Sequence, residues 1–157
     1  MELETWQAPP GDVIPNNPRV PVLLYRGVDL TDARGLLAEH GWGGSWVNGV
    51  FDFHHFHSTS HEVLAVIAGS ATLELGGPQG QAFEVATGDV LVLPAGTGHR
   101  RARADGAFTV VGAYPAGQED YDLLREADDA ARERIAALGQ PADDPVGGGG
   151  IDLWSTG

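Results

Sequence analysis

Between Ser45 and Tyr114 the chain consists of short segments rich in apolar and β-branched residues, each bounded by glycine, proline, serine or aspartate. The segments are Ser45–Phe53, Glu62–Ala68, Ala71–Leu75, Ala82–Val85, Asp89–Leu93 and Phe108–Tyr114. Many short strands at regular spacing are typical of a sandwich or a barrel. The sequence therefore predicts an all-β domain, to which Val20–Tyr25 adds one more strand.

Two helices are predicted outside this β-rich region. Asp29 or Thr31 is expected to cap a short helix that runs to about His40, and a second helix is expected from about Glu119 to Leu138. The predicted parts are an extended, proline-rich arm over 1–18, a barrel over 19–116, and a helix with a glycine-rich tail packing on the barrel over 117–157.

Composition excludes several kinds of chemistry. The 157 residues include no cysteine, which excludes disulfides and thiolate metal sites, and no lysine, which excludes a Schiff base. The net charge of −13 makes nucleic acid and anionic membranes unfavourable partners. Residues 1–10 lack the basic and apolar pattern of a secretory signal, and no apolar run approaches the roughly 18–20 residues of a membrane span. A cytoplasmic protein is expected.

Histidines are concentrated in one short stretch. Four of the six, His54, His55, His57 and His61, fall within eight residues. Because alternate side chains of a strand share a face, His55 and His57 should point the same way, about 7 Å apart, and can chelate one ion. A lone His-x-His motif is a weak signal, since histidines on strands are more often ordinary surface or core residues.

Two residues outside the His-x-His pair strengthen the metal interpretation. Glu62 can supply a carboxylate from the adjacent strand, and His99 follows the turn Pro94–Gly96, which a closing sheet can bring opposite the pair. Three imidazoles and one carboxylate suit a borderline divalent ion such as iron, manganese, nickel, zinc or copper. One such ion per chain is predicted.

These spacings resemble the two motifs of the cupin family. The first motif is matched by Gly49, His55, His57, Glu62 and Gly69, and the second by Gly88, Pro94, Gly96 and His99. Two separated motifs that agree in order and spacing are a more specific signal than either alone. The flanking segments Pro15–Pro18 and Val22–Arg26 also resemble those of small YjlB-type cupins.

The resemblance implies a double-stranded β-helix, which is a jelly-roll barrel, with one divalent ion (iron, manganese, nickel or zinc) bound by His55, His57, Glu62 and His99. Small cupins commonly form homodimers, and the apolar segment Val20–Leu24 could add to an exposed sheet edge. In this chain an arginine, Arg103, stands where the second motif often ends in asparagine.

Two histidines leave alternatives open. His54 should point to the face opposite His55, outward to the surface. His61 is the runner-up ligand if the chain bulges beside Glu62, and otherwise a residue that orients a ligand.

Arg101 and Arg103 should share the face of His99, where they could hold the carboxylate or phosphate of a substrate. The alternative is that they pair with the many acids of the chain. The leading prediction is a metal-dependent enzyme of the oxygenase type that acts on a small anionic molecule. A metal-dependent isomerase or lyase, and a non-catalytic module that binds a small molecule or a metal, are the alternatives, and no catalytic residue is assigned.

Overall fold

A computed structural model describes residues 1–155, which form an antiparallel sheet flanked by two short helices. The strands are β1 (Glu2–Trp6), β2 (Val22–Arg26), β3 (Trp42–Asn48), β4 (Glu62–Leu75), β5 (Gln81–Ala86), β6 (Val90–Leu93) and β7 (His99–Pro115). The helices are α1 (Ala33–Glu39) and α2 (Asp129–Ala137), followed by a 3₁₀ turn over Gly150–Trp154. Within the described residues, neither helix has the length and apolar character that crossing a membrane requires.

The two long strands β4 and β7 organise the sheet. The strand order is β1-β2-β6-β4-β7-β3, and β5 pairs with β4 outside this path. The β4–β7 ladder runs from Val63 opposite Ala113 to Leu75 opposite His99, with register shifts that bend both strands. Gly69 lies at one bend with a φ of 71°, where a Cβ would come within 2.7 Å of the Phe108 nitrogen. The two segments predicted on either side of Gly69 are therefore one bent strand.

The sheet is buried on both faces, because alternate residues of its inner strands enter different cores. Two hydrophobic clusters lie on opposite faces of the sheet. In β4, Val63 and Ala65 belong to the cluster that contains Trp42 and Trp154, whereas Leu64 and Val66 belong to the other cluster. The same alternation is seen in β2 and β6. Period-2 burial on both faces explains why these strands are apolar throughout.

The C-terminal segment is fastened to β2 by a buried aspartate. Asp144 accepts hydrogen bonds from the Tyr25 hydroxyl and from the backbone N–H groups of Val146, Gly148 and Ile151. The Trp154 indole donates to a backbone carbonyl beside β2, and its ring is buried. Buried polar groups that are fully paired stabilise this docking.

Both helices differ from their predicted extents. The N-cap of α1 is Asp32, whose side chain accepts from the Gly35 N–H, so the prediction of Asp29 or Thr31 is wrong. Asp29 instead accepts from the N–H of Thr31 in a local turn. Helix α2 begins only after Asp128, because the preceding residues bond to another part of the chain. Leu124 exchanges two backbone hydrogen bonds with Phe56, and this pairing excludes helix there.

The N-terminal arm contains a strand, and this affects the expected dimer contact. Strand β1 pairs with β2 along its whole length, and β2 also pairs with β6. The segment Val20–Leu24 therefore does not present a free edge, contrary to the prediction, and β1 lies at the end of the strand order instead. Formation of a homodimer stays a prediction.

We expect Asp144→Ala to lower the free energy of unfolding by about 2–4 kcal/mol, because it leaves a buried hydroxyl and several N–H groups without acceptors. Urea denaturation followed by circular dichroism measures the change. Asp120→Ala is the matched control, since Asp120 is exposed and should tolerate the substitution. Equal losses in the two variants would contradict the proposed role of Asp144 in fastening the tail.

Candidate metal centre

Three histidines converge at one end of the sheet. His55 and His99 exchange backbone hydrogen bonds as an isolated antiparallel bridge, with N–O distances of 3.3 and 2.9 Å. This pairing places their rings 4.0 Å apart, and the ring of His57 lies 5.4 Å from that of His99. One nitrogen from each ring lies within 4.8 Å of the others, and all three residues are buried. The cluster could hold a metal ion.

The hydrogen bonds of the three rings determine which nitrogens face the centre. Each Nδ1 contacts a backbone carbonyl: Phe53 for His55, Asp122 for His57 and Thr97 for His99. A carbonyl oxygen only accepts, so each Nδ1 carries a hydrogen and each Nε2 of a neutral ring keeps a free lone pair. A histidine that binds a metal through one ring nitrogen typically donates a hydrogen bond from the other ring nitrogen.

Glu62, the first residue of β4, lies against this cluster. Its Oε1 is 3.4 Å from Nε2 of His57 and 3.2 Å from Nε2 of His99, while its Oε2 accepts from the Tyr114 hydroxyl at 2.9 Å. Oε1 is buried and has no hydrogen-bond partner among the described residues. An unpaired buried carboxylate oxygen is costly, so this atom requires a proton or a cation nearby.

The electrostatics of the centre favour a bound cation. Burial raises the pKa of Glu62, but the adjacent His57 and His99 outweigh burial and hold the pKa well below its usual range. Burial lowers the pKa of His55 to about 3. For His57, burial acts to lower the pKa, but Glu62 raises it overall. The negative charge of Glu62 thus stabilises a positive charge at this position, which a bound metal ion would also provide.

A cavity of about 560 Å³ opens onto these residues. Its lining includes His55, His57, Glu62, His99, Arg101 and Tyr114. Cavities of roughly 300–1,000 Å³ are typical of small-molecule sites. A molecule in this cavity would contact the histidine cluster directly.

Comparisons with known proteins agree with this geometry. The Cupin domain family matches residues 46–111. Over 152 residues the chain is 37% identical to the uncharacterized protein YjlB of Bacillus subtilis (strain 168), covering 94% of this chain and 92% of that protein. This chain is a member of the cupin family. The predicted all-β cupin fold with two flanking helices is confirmed.

Several solved structures match parts of this chain at low similarity. An acireductone dioxygenase from Bacillus anthracis with a cadmium ion in its active centre is 19% identical, with a TM-score of 0.41, over 57% of this chain and 60% of that chain. A DUF861 family protein from Thermotoga maritima is 16% identical, with a TM-score of 0.41, over 60% and 98%. Procruciferin, an 11S globulin from Brassica napus, is 15% identical, with a TM-score of 0.40, and the cupin spans 68% of its own length and 23% of that chain.

The N-terminal arm of this cupin fixes the turn that carries His99. Asn16 has a φ of 57°, and its side chain accepts from the Gly98 N–H and donates to the Gly76 carbonyl. Asn17 donates to the carbonyl of Ala95. Gly96, with a φ of 92°, approaches so closely that a Cβ would lie 2.8 Å from the Asn16 oxygen. The asparagines thus position the cupin turn that precedes the ligand candidate.

A segment from outside the matched region positions His57. The Asp122 carbonyl accepts from His57, and the Asp122 carboxylate accepts from the N–H and hydroxyl of Ser58 and from the N–H of Thr59. Although burial raises the pKa of Asp122, the Ser58 hydrogen bonds hold it below its usual range. Sequence reasoning missed Asp122, because it lies 65 residues from His57 within a predicted helix.

Tyr114 is a second contributor that the sequence did not single out. It was predicted only as the end of a strand, yet its hydroxyl donates to Glu62 and accepts from the Trp46 indole at 2.7 Å. Its ring stacks on Tyr121, with centroids 4.2 Å apart. Burial, with help from the charge of Glu62, raises the pKa of Tyr114, which keeps this phenol protonated.

The two remaining histidines of the stretch lie outside the cluster. Nδ1 of His61 accepts from the Ala95 N–H at 2.9 Å, and its Nε2 lies 3.1 Å from the Gly139 carbonyl. Both ring nitrogens therefore contact backbone groups, and the structure does not bring His61, the runner-up ligand, into the cluster. His54 lies near Arg100 and Glu74 and is half-buried rather than fully on the surface.

The arginines after His99 have three different environments. Arg101 lines the cavity and is half-buried, whereas Arg103 is exposed and is not part of the lining. A register shift lies between the pairs of Arg101 and Arg103, which interrupts the alternation on which their shared face was predicted. Arg100 forms an ion pair with Glu74 at 2.6 Å.

We expect Asn16→Gly to lower the free energy of unfolding by about 1–3 kcal/mol, because the Gly98 N–H loses its buried acceptor. Glycine tolerates a positive φ, so this variant removes the hydrogen bonds without adding backbone strain. The measurement is urea denaturation, and exchange of the Gly98 amide hydrogen should accelerate as well. Unchanged stability and exchange would show that Asn16 does not anchor the turn.

Proposed function

We propose that this cupin binds one divalent metal ion through Nε2 of His55, His57 and His99 and Oε1 of Glu62. The observation that carries this proposal is the unpaired Oε1 of Glu62, buried beside imidazole nitrogens whose protons point away from it. The lone pairs of Oε1 and of the nearby His57 and His99 nitrogens repel one another unless a cation lies between them. A metal ion satisfies all four ligand atoms at once.

The donor set suits iron, manganese, nickel or zinc. Four protein ligands leave one or two positions free on a five- or six-coordinate ion, and the same residues line the cavity. A bound ion would supply Lewis-acid or redox chemistry there. The chain's own residues would orient the ligand and hold the carboxylate, with Tyr114 fixing Oε2 so that Oε1 faces the centre.

The preferred ligand is a small anionic molecule. Arg101 lines the cavity and forms no ion pair within the described chain. A guanidinium without a carboxylate partner can hold an anion through two parallel hydrogen bonds. Together with a divalent ion, Arg101 would make the cavity locally positive on a chain of net charge −13.

The leading reaction class is a metal-dependent oxygenase, because the cavity has room for a substrate beside open metal positions. A metal-dependent isomerase or lyase is the second candidate, and the protonated phenol of Tyr114 near the centre favours it. A non-catalytic binding module is the third outcome that an experiment must distinguish.

Elemental analysis of anaerobically purified protein, combined with oxygen-uptake assays on a panel of small carboxylates, separates these classes. Iron with carboxylate-dependent oxygen uptake supports the oxygenase. Zinc or nickel without uptake, but with conversion of a carboxylate detected by NMR, supports the isomerase or lyase. Tight binding of metal and carboxylate with no conversion would identify a binding module and overturn the enzyme proposal.

Glu62→Gln should weaken zinc affinity by about 100-fold or more, since it removes the charged ligand while keeping its shape. Equilibrium dialysis with elemental analysis measures the affinity. His61→Asn keeps an acceptor for the Ala95 N–H and should bind zinc as the unchanged protein does, and His40→Gln is a histidine control remote from the cluster. If His61→Asn loses zinc and Glu62→Gln does not, the ligand assignment is wrong.

Arg101→Met should leave zinc binding intact and weaken the binding of a small carboxylate such as pyruvate by about 1.5–3 kcal/mol, the usual worth of a hydrogen bond to a charged group. Isothermal titration calorimetry on the zinc-loaded protein measures both affinities. Arg103→Met is the matched control, since Arg103 lies off the cavity. Similar pyruvate affinities in both variants would remove Arg101 from the proposed anion site.

A further inference from the structure

Exposed apolar side chains surround the mouth of the cavity. Val47, Phe51, Tyr121 and Leu123 line it, with 47%, 55%, 39% and 39% of their surfaces exposed. They are half of the large hydrophobic side chains that the described chain exposes. Clustered exposed apolar surface rimming a cavity is typical of a binding site, whereas single exposed residues need no explanation.

In this apolar rim, which consists of Val47, Phe51, Tyr121 and Leu123, the two aromatic rings stack on neighbouring aromatic rings. Phe51 stacks on Phe53 at a centroid distance of 4.9 Å, and the guanidinium of Arg125 lies 4.2 Å from the Phe53 ring. Tyr121 stacks on the buried ring of Tyr114. Side chains ordered before binding lose little conformational entropy when a ligand packs on them.

Polarity changes with depth in the cavity. The histidine cluster and Glu62 are at most 5% exposed, while every member of the apolar rim is at least 39% exposed. Leu64 and Val50 are buried in the lining, and Arg101 is half-buried. The histidine cluster and Glu62 therefore lie at the depth of the cavity beside apolar side chains, and apolar side chains predominate among the exposed residues at its mouth.

One charged residue of the lining limits the ligand further. Asp52 is exposed and carries no ion pair within the described chain. A second negative charge at the outer end of a ligand would lie near this carboxylate and be repelled. The arrangement disfavours dicarboxylates that fill the cavity.

Resting on the proposed anion site, we propose that the ligand of this cavity is an amphipathic monocarboxylate with an aromatic or branched apolar body. Its carboxylate lies at Arg101 and the metal centre, and its body packs on the apolar rim. The apolar rim thereby selects for the apolar body of the ligand, and Arg101 with the metal centre selects for its carboxylate.

The test compares 3-phenylpropanoate with propanoate, which have the same carboxylate and differ in the phenyl ring. Calorimetry on the zinc-loaded full chain should show at least about tenfold tighter binding of 3-phenylpropanoate, because packing its ring on the apolar rim removes apolar surface from water. The alcohol 3-phenylpropan-1-ol and the dicarboxylate 3-(4-carboxyphenyl)propanoate should both bind more weakly than 3-phenylpropanoate. Equal binding of either would overturn the single-carboxylate part of the proposal.

Two leucines provide a matched pair of variants. Leu123→Ser should reduce the preference for 3-phenylpropanoate several-fold, whereas Leu153→Ser, a comparably exposed leucine outside the lining, should leave it unchanged. If the wild-type protein binds 3-phenylpropanoate and propanoate equally and Arg101→Met weakens the binding of both, the inference of an apolar body fails while the proposed anion site stands. If neither carboxylate binds, or binding ignores Arg101, the proposed anion site itself fails.

Discussion

A buried carboxylate oxygen beside the imidazole nitrogens of His57 and His99 is the constraint on which the rest of this structure depends. Such atoms repel one another and lose their hydration on burial, so the fold must hold them in place unless a cation joins them. The backbone bridge between His55 and His99 provides the first restraint. The carbonyls that accept from each Nδ1 provide the second, since they direct all three lone pairs inward.

Segments far apart in the chain contribute to this centre. Asn16 and Asn17 hold the turn before His99, Asp122 holds His57, and Tyr114 holds Glu62. Only Tyr114 of these lies close to the end of the matched cupin region, residues 46–111. The N-terminal arm and the segment around Asp122 therefore support the candidate site, which links their stability to the geometry of the centre.

The sequence predicted the features that depend on the alternation of side chains along a strand and on the spacing of motifs. Alternation placed His55 and His57 on one face, and motif spacing brought His99 to them, as the cluster shows. Predictions failed where distant backbone pairing decided the outcome. Leu124 pairs with Phe56, so helix α2 begins later than predicted, and a register shift interrupts the alternation beside Arg103, which lies outside the cavity lining. His61 has the same spacing signals as a ligand, but its ring is taken by backbone groups remote in sequence.

Crystallography of the zinc-loaded protein with anomalous diffraction at the zinc edge tests the central claim most directly. One anomalous peak per chain is predicted, about 2.0–2.2 Å from Nε2 of His55, His57 and His99 and from Oε1 of Glu62. A peak bonded elsewhere, or a centre that stays empty of zinc at saturating concentration, would contradict the metal assignment.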